Sequence, residues 1–191
     1  MTVCIFAASS SRIDSEYVAV AATLGSLLAH EGIDVVFGGG GIGLMGKLAD
    51  AVLENGGKIT GVIPAFMKEE GWGHNELTDM IITPDMSERK KKMFSMSDAV
   101  VALPGGIGTL EELTEAITLK QLSLFDGPII ILNTNGYYDS LLKFIDHMIS
   151  NNFMRFEHKG IWETANTPEE VLTALNNKER GNEEWRKIAK I

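Results

Sequence analysis

The stretch Ala99-Val100-Val101-Ala102-Leu103-Pro104-Gly105-Gly106-Ile107-Gly108-Thr109-Leu110-Glu111-Glu112 decides the fold. Residues 99–103 are an unbroken apolar run, the length of a buried strand rather than a helix. Pro104–Gly108 interrupt it as a loop, and from Leu110 to Leu122 the apolar residues recur at helical spacing. Strand, glycine loop and helix in succession form one unit of a parallel sheet. A second such unit lies upstream: strand Val35–Phe37, loop Gly38–Gly43 and helix Leu44–Leu53.

The rest of the chain repeats the alternation. Val3–Ala7, Ile59–Ile63, Met80–Ile82 and Pro128–Leu132 read as strands, and Ser15–His30, Ser87–Met96 and Tyr138–Ser150 as helices. Ala65–Asn75, with Gly71 and Gly73 around Trp72, reads as a longer loop. Thr167-Pro168-Glu169-Glu170 has the cap, early proline and acid of a helix start. The expected architecture is α/β: a single-domain, Rossmann-like, doubly wound and mainly parallel sheet with helices on both faces. Residues 1–177 read as one nucleotide-binding domain, and 178–191 as a charged tail.

Composition narrows the function. The 191 residues carry 17 basic and 26 acidic side chains, a net charge of −9. Such a surface repels nucleic acid unless its cations cluster. They cluster once, at Arg89-Lys90-Lys91-Lys92, where Lys91 and Lys92 also fit a solvated helix face. A single cysteine, Cys4, excludes an internal disulfide and a cysteine-rich zinc site. No apolar run approaches the ~20 residues that span a bilayer, so the expectation is a cytoplasmic protein without membrane or nucleic-acid partners.

In open parallel sheets ligands bind beyond the carboxyl ends of the strands, where both glycine loops fall. Consecutive glycines let backbone amides approach a ligand closely, and a following helix turns its N-terminal dipole toward an anion. The loop Gly38–Lys47 comes near two nucleotide motifs and satisfies neither. Gly41, Gly43 and Gly46 have dinucleotide spacing but follow the second strand, with no acid after the next one. Leu48 stands where a nucleotide triphosphatase needs a hydroxyl. In the second loop Gly106, Gly108 and Thr109 suit a phosphate, although Thr109 and Glu112 also have the spacing of a helix cap. Glu115 and Thr118 continue a polar stripe along that helix.

Pro104-Gly105-Gly106-Ile107-Gly108-Thr109-Leu110-Glu111-Glu112 resembles the P-G-G-x-G-T-x-x-E signature of the Lonely Guy family, the cytokinin riboside 5′-monophosphate phosphoribohydrolases. Met86-Ser87-Glu88-Arg89-Lys90 is similar to that family's M-H-x-R-K element, and Gly40–Gly46 to its first glycine loop. Ser97-Asp98-Ala99 and Asn135-Gly136-Tyr137-Tyr138 with Phe144-Ile145-Asp146 extend the likeness, which covers roughly residues 3–155. Two positions depart from the pattern. Ser87 replaces the usual His, and Ala8 stands before Ser9-Ser10 in place of Gly.

The resemblance implies hydrolysis of the N-glycosidic bond of AMP or an N6-modified AMP to free base and ribose 5-phosphate. It implies Arg89 and Glu112 as the catalytic pair. Gly40, Gly41, Gly43, Met86, Lys90, Gly105, Gly106, Gly108, Thr109, Glu111 and Thr118 are its substrate-binding candidates. Opening a glycosidic bond builds positive charge on the ribosyl carbon, which a carboxylate stabilises while it orients water. A guanidinium keeps its charge and so suits holding phosphate or ribose, not donating a proton. No cofactor or metal is implied. A homodimer is expected, with Leu113–Leu124 and Leu141–Ile149 as candidate interface segments that equally suit a core. The alternative is a non-catalytic nucleotide or cofactor carrier, since molybdenum-cofactor carriers look similar in fold and loops. Lysine decarboxylase, a label attached to similar sequences, needs a Schiff-base lysine for which no segment makes a case. His30 and His147 read as structural or surface residues, Asp98 as a structural contact, and His74 and Trp72 as loop residues for which loop packing is the first reading and contact with a base the second.

Overall fold

A computed structural model describes residues 1–77 and 79–177; the charged tail expected at 178–191 lies outside them. Seven parallel strands form one sheet in the order β4-β3-β2-β1-β5-β6-β7. They are β1 (Thr2–Phe6), β2 (Asp34–Phe37), β3 (Ile59–Pro64), β4 (Asp79–Thr83), β5 (Ala99–Ala102), β6 (Ile129–Leu132) and β7 (Trp162–Ala165). The helices are α1 (Ser15–His30), α2 (Gly43–Glu54), α3 (Ala65–Glu69), α4 (Met86–Ser95), α5 (Ile107–Gln121), α6 (Asp139–Ser150) and α7 (Pro168–Asn176). The doubly wound α/β architecture is the one expected.

Strand periodicity sorts the core. Val3 and Ile5 of β1 face one layer, with Leu24 and Leu28 of α1, Leu44 and Leu48 of α2, and Val171 and Leu175 of α7. Cys4 and Phe6 face the other, with Met93 of α4 and Leu113, Ala116 and Ile117 of α5. Because both faces are covered, β5 and β6 are buried along their whole length, and their sequences are unbroken apolar runs. Burial also pushes the Cys4 thiol up, which keeps it neutral.

Strand order reverses between β1 and β5, whose register pairs Val3 with Ala99 and Phe6 with Ala102. Asp98 fixes that register from below: its carboxylate accepts the Thr2 N–H at 2.7 Å, and its own N–H donates to the Thr2 carbonyl at 2.8 Å. This is the structural contact expected of it. Above the pair, the chain leaves β1 for α1 on one face and β5 for α5 on the other, the point at which such sheets bind ligands.

Three expectations change. Ala65–Asn75 is not all loop, because the helix-forming run after Pro64 makes the single turn of α3 before Gly71 ends it at φ +74°. Helix α5 begins at Ile107 rather than Leu110, so Gly108 lies inside its first turn and not in the loop before it. The short edge strand β7 has no counterpart among the expected strands, because Glu163 splits its apolar content. Helix α7 starts where its cap predicts, with Thr167 accepting the Glu170 N–H at 3.3 Å. Among the described residues no helix is long and apolar enough to cross a membrane.

Leu48 is fully buried where α2 meets α1 and the sheet. Leu48→Ala is expected to lower the unfolding free energy by about 2–5 kcal/mol in urea titration; a loss below about 1 kcal/mol would show that this layer is not packed as described.

Candidate active site

A cavity of about 590 Å³ opens at the carboxyl end of the sheet, between the two glycine loops. Ala7, Ala8 and Ser9 after β1 form its floor with Gly38 and Gly40 after β2. Ile63, Met67 and Trp72 line one side, Met86 and Arg89 of α4 another, and Gly106 through Thr109 and Glu112 of α5 a third.

Arg89 is 6% exposed and held on three sides. Its Nε donates to the Val62 carbonyl at 3.0 Å, Nη2 to the Gly38 carbonyl at 3.4 Å and Nη1 to Glu112 Oε1 at 2.8 Å. A Cβ added at Gly38 would stand 2.0 Å from Nη2, so the glycine is what admits the guanidinium. Glu112 is 7% exposed. Burial pushes its carboxyl above the ordinary range, and the charge and hydrogen bond of Arg89 offset part of that rise. Glu112 sits in the second turn of α5, so the cap reading of Thr109 and Glu112 fails: Gly106 occupies the cap position.

Lys90 points to the outer side of α4 and pairs with Glu111 and Glu115 of α5. Burial opposes its charge, but hydrogen bonds to both carboxylates outweigh that and raise its pKa. Two adjacent residues of α4 are thereby locked to one face of α5.

Helix termini differ in a telling way. Asp14, Asp85 and Thr167 cap α1, α4 and α7 with side-chain oxygens, and Glu16, Glu88 and Glu169 add acids to those first turns. Helices α2 and α5, which follow the glycine loops, have neither a side-chain cap nor an early acid. Their first N–H groups have no partner within the helix, and the dipole there is uncompensated. Both loops are tied to the end of β1: the Ala8 N–H donates to the Pro104 carbonyl at 3.3 Å, and the Met45 N–H to the Ala8 carbonyl at 3.2 Å.

A family model described as "Possible lysine decarboxylase" matches residues 45–175. The cytokinin riboside 5′-monophosphate phosphoribohydrolase LOG4 of Arabidopsis thaliana is 41% identical over 173 residues, 91% of this chain and 80% of that protein. The probable phosphoribohydrolase of the same name LOGL1, from Oryza sativa subsp. japonica, is 38% identical over 182 residues, 95% of this chain and 82% of its own. This chain belongs to the Lonely Guy family. In fold it also resembles the molybdenum cofactor carrier protein of Chlamydomonas reinhardtii, at a TM-score of 0.69, 20% identity, and coverage of 91% of this chain and 95% of that one.

Within the Lonely Guy signature, Gly106, Gly108, Thr109 and Glu112 line the cavity, as do Gly40, Met86 and Arg89 upstream. The remaining candidates lie outside its lining. Gly41 donates its N–H to the Trp72 carbonyl at 3.1 Å, and Gly43 packs on the Ala8 and Ser10 carbonyls. Lys90 and Glu111 are paired to each other. Gly105 packs against the Thr109 side chain, and the exposed Thr118 hydroxyl bonds back to the Thr114 carbonyl at 2.8 Å. Of the two departures from the family pattern, Ser87 is exposed and away from the cavity lining, whereas Ala8 lines it. Ser9, Ile42, Met45, Ile63, Met67 and Ile107 also line it, and nothing in their residue types marks them for that role.

His74 does not reach the cavity. The Glu76 N–H donates to its Nδ1 at 3.2 Å, so Nε2 carries the proton and donates to Asp50 Oδ1 at 3.0 Å. With the Gly40–Gly73 bridge, this strut fixes the loop that carries Trp72 over the opening.

Gly38→Ala is expected to lose about 1–3 kcal/mol in thermal or urea melts as the methyl displaces Arg89. Gly108→Ala, whose methyl meets nothing, is expected to match or slightly exceed the parent in stability. Equal behaviour of the two variants would contradict this placement of Arg89.

Proposed function

We propose that this protein hydrolyses the N-glycosidic bond of a nucleoside 5′-monophosphate, AMP or an N6-modified AMP, to free base and ribose 5-phosphate. The observation that carries the reading is a buried carboxylate and guanidinium, 2.8 Å apart, in a cavity that also presents the uncapped start of α5. The named activity of relatives about 40% identical over nine-tenths of the chain supports it.

In this reading the 5′-phosphate sits on the N–H groups at Gly106 and Gly108 and on the Thr109 hydroxyl. Gly40 lets the sugar approach the first loop, which Gly41 and Gly43 shape, and Met86 closes the cavity beside Arg89. The C–N bond breaks with its electron pair leaving on the base. Positive charge on the ribosyl carbon is met by Glu112, which takes a proton from the attacking water. The hydroxide oxygen bonds to the ribosyl carbon, the departing base takes up one proton from solvent, and Glu112 returns to solvent the proton it accepted. Arg89 stays charged; it holds Glu112 in place and offsets the charge growing on the base. Lys90 and Glu111 act through the α4–α5 contact rather than by touching the ligand. Gly105 acts through Thr109, and Thr118 stays outside the cavity.

Lysine decarboxylation is not supported. Among the described residues no lysine lines the cavity, and Lys90, adjacent in sequence to Arg89, is engaged by two carboxylates.

The test is chromatography for free adenine after incubation with AMP. Glu112→Gln is expected to lower kcat about 10²–10⁴-fold, and Arg89→Ala about 10²–10³-fold. Nucleotide binding without base release, across AMP and N6-modified analogues, would replace the enzyme with a carrier. Because the Glu112 carboxyl is raised in the free protein, the acid limb of kcat/KM is expected above the ordinary glutamate value of 4.5. The stability sign is opposite. A raised acid stabilises the fold fully below the unfolded pKa and loses that contribution as pH rises through the folded one. Relative to Glu112→Gln, the parent therefore weakens over the pH range in which it gains activity. An acid limb at or below 4.5 would contradict the burial of the working carboxylate.

The proposal includes one nucleotide-binding unit over residues 1–177, acting as a homodimer in the cytoplasm. The single cysteine, free and buried, suits a reducing compartment. In the expected interface segments Leu113 and Ile145 are core residues, but Leu122, Leu124 and Phe144 are exposed, with Phe153 and Phe156 following. Sedimentation equilibrium is expected to return twice the 20.8 kDa chain mass. A monomer at micromolar concentration would contradict the dimer.

A further inference from the structure

The second glycine loop is oriented from behind. Three successive carbonyls, at Leu103, Pro104 and Gly105, are each held by a different group: the Tyr138 hydroxyl at 2.7 Å, the Ala8 N–H at 3.3 Å and the Tyr137 hydroxyl at 2.7 Å. A carbonyl oxygen facing a phosphate repels it, so a phosphate loop works only with its acceptors turned away and its N–H groups turned in. Across a planar trans peptide the C=O and the following N–H point in opposite directions. The Tyr137 hydroxyl therefore sets the direction of the Gly106 N–H by holding the Gly105 carbonyl.

The local chain is built to deliver that hydroxyl. Asn135 and Gly136 adopt φ of 54° and 69°, a turn that asparagine and glycine tolerate best. Asn133 accepts the Tyr138 N–H at 2.6 Å and donates to Asp139 at 2.8 Å, which fixes the exit from the turn. The Tyr137 ring is wedged edge-on between Tyr17 and Tyr138, with centroids 5.9 and 5.0 Å away. Tyr138 is buried, and its loss would disturb packing. Tyr137 is 45% exposed and lines a smaller cleft with Gly105, which is outside the lining of the main cavity.

We infer that Tyr137 is a positioning residue for phosphate recognition: its hydroxyl keeps the Gly105–Gly106 peptide turned so that the Gly106 N–H faces the bound phosphate. This rests on the placement of the 5′-phosphate proposed above. Without the hydroxyl, a peptide flanked by two glycines is free to flip and present its carbonyl to the ligand.

Calorimetric titration of ribose 5-phosphate and of adenosine into the parent and Tyr137→Phe tests this. The variant keeps the ring and its two edge contacts. Its dissociation constant for ribose 5-phosphate is expected to rise about tenfold, the scale of one hydrogen bond to a charged group. Affinity for adenosine, which has no phosphate, is expected to stay within twofold, and the melting temperature within a few degrees. In turnover of AMP, KM is expected to rise while kcat stays within twofold. Unchanged affinity for ribose 5-phosphate, equal weakening toward adenosine, or a loss of stability without loss of affinity would each overturn the inference. Absence of base release by the parent from both AMP and N6-modified AMP, with the ribose 5-phosphate difference intact, would instead remove the hydrolase reading and leave the loop assignment standing.

Discussion

The buried ion pair between Arg89 and Glu112 is the constraint around which the rest of the site is arranged. Removing two charges from water is costly, and a pair that loses one partner leaves the other stranded. Several neighbours of the pair lower that cost. The Val62 and Gly38 carbonyls each take one guanidinium proton beside the one Glu112 takes. Gly38 has no side chain to obstruct them. Lys90, one residue along, draws Glu111 and Glu115 to its own side and holds α4 against α5. The carboxylate is left raised in pKa, in contact with the cavity, and held by the Arg89 guanidinium.

In the proposed reading the chain recognises an anion mainly by backbone. A protein of net charge −9 that binds a phosphorylated ligand has to gather positive potential locally. Here it comes from two helix starts without side-chain caps or early acids, together with one guanidinium lining the cavity. Both loops hang from the end of β1 through the two backbone bonds of Ala8, at the point where strand order reverses. Alanine in place of the family's usual glycine changes nothing in that arrangement, because Ala8 contributes its N–H and carbonyl.

Much of this is legible in the amino-acid sequence. Alternating apolar runs and helical periods spell out the α/β sheet, since strands buried on both faces have little choice of residue type. The nine residues from Pro104 to Glu112 mark the second loop and one half of the pair, and Arg89 comes with Lys90 from the same family resemblance. Sequence reading fails where several physical roles share one residue pattern. Thr109 and Glu112 have the spacing of a cap, and only the start of α5 at Ile107 shows that Glu112 is one turn too deep for it. Lys90, Glu111 and Gly105 look like ligand residues, whereas in the structure Lys90 and Glu111 pair with each other and Gly105 packs on Thr109, outside the cavity lining. Met67 and Ile63 are ordinary apolar residues until α3 and the loop bonds of His74 place Trp72 beside them over the opening.

The central claim is that Arg89 and Glu112 act as one unit. A double-mutant cycle on kcat/KM for AMP, using Arg89→Ala, Glu112→Gln and the combined variant, measures that coupling directly. The account predicts strong non-additivity, with the double variant little worse than the poorer single one. Losses that simply multiply would show two independent residues and contradict it.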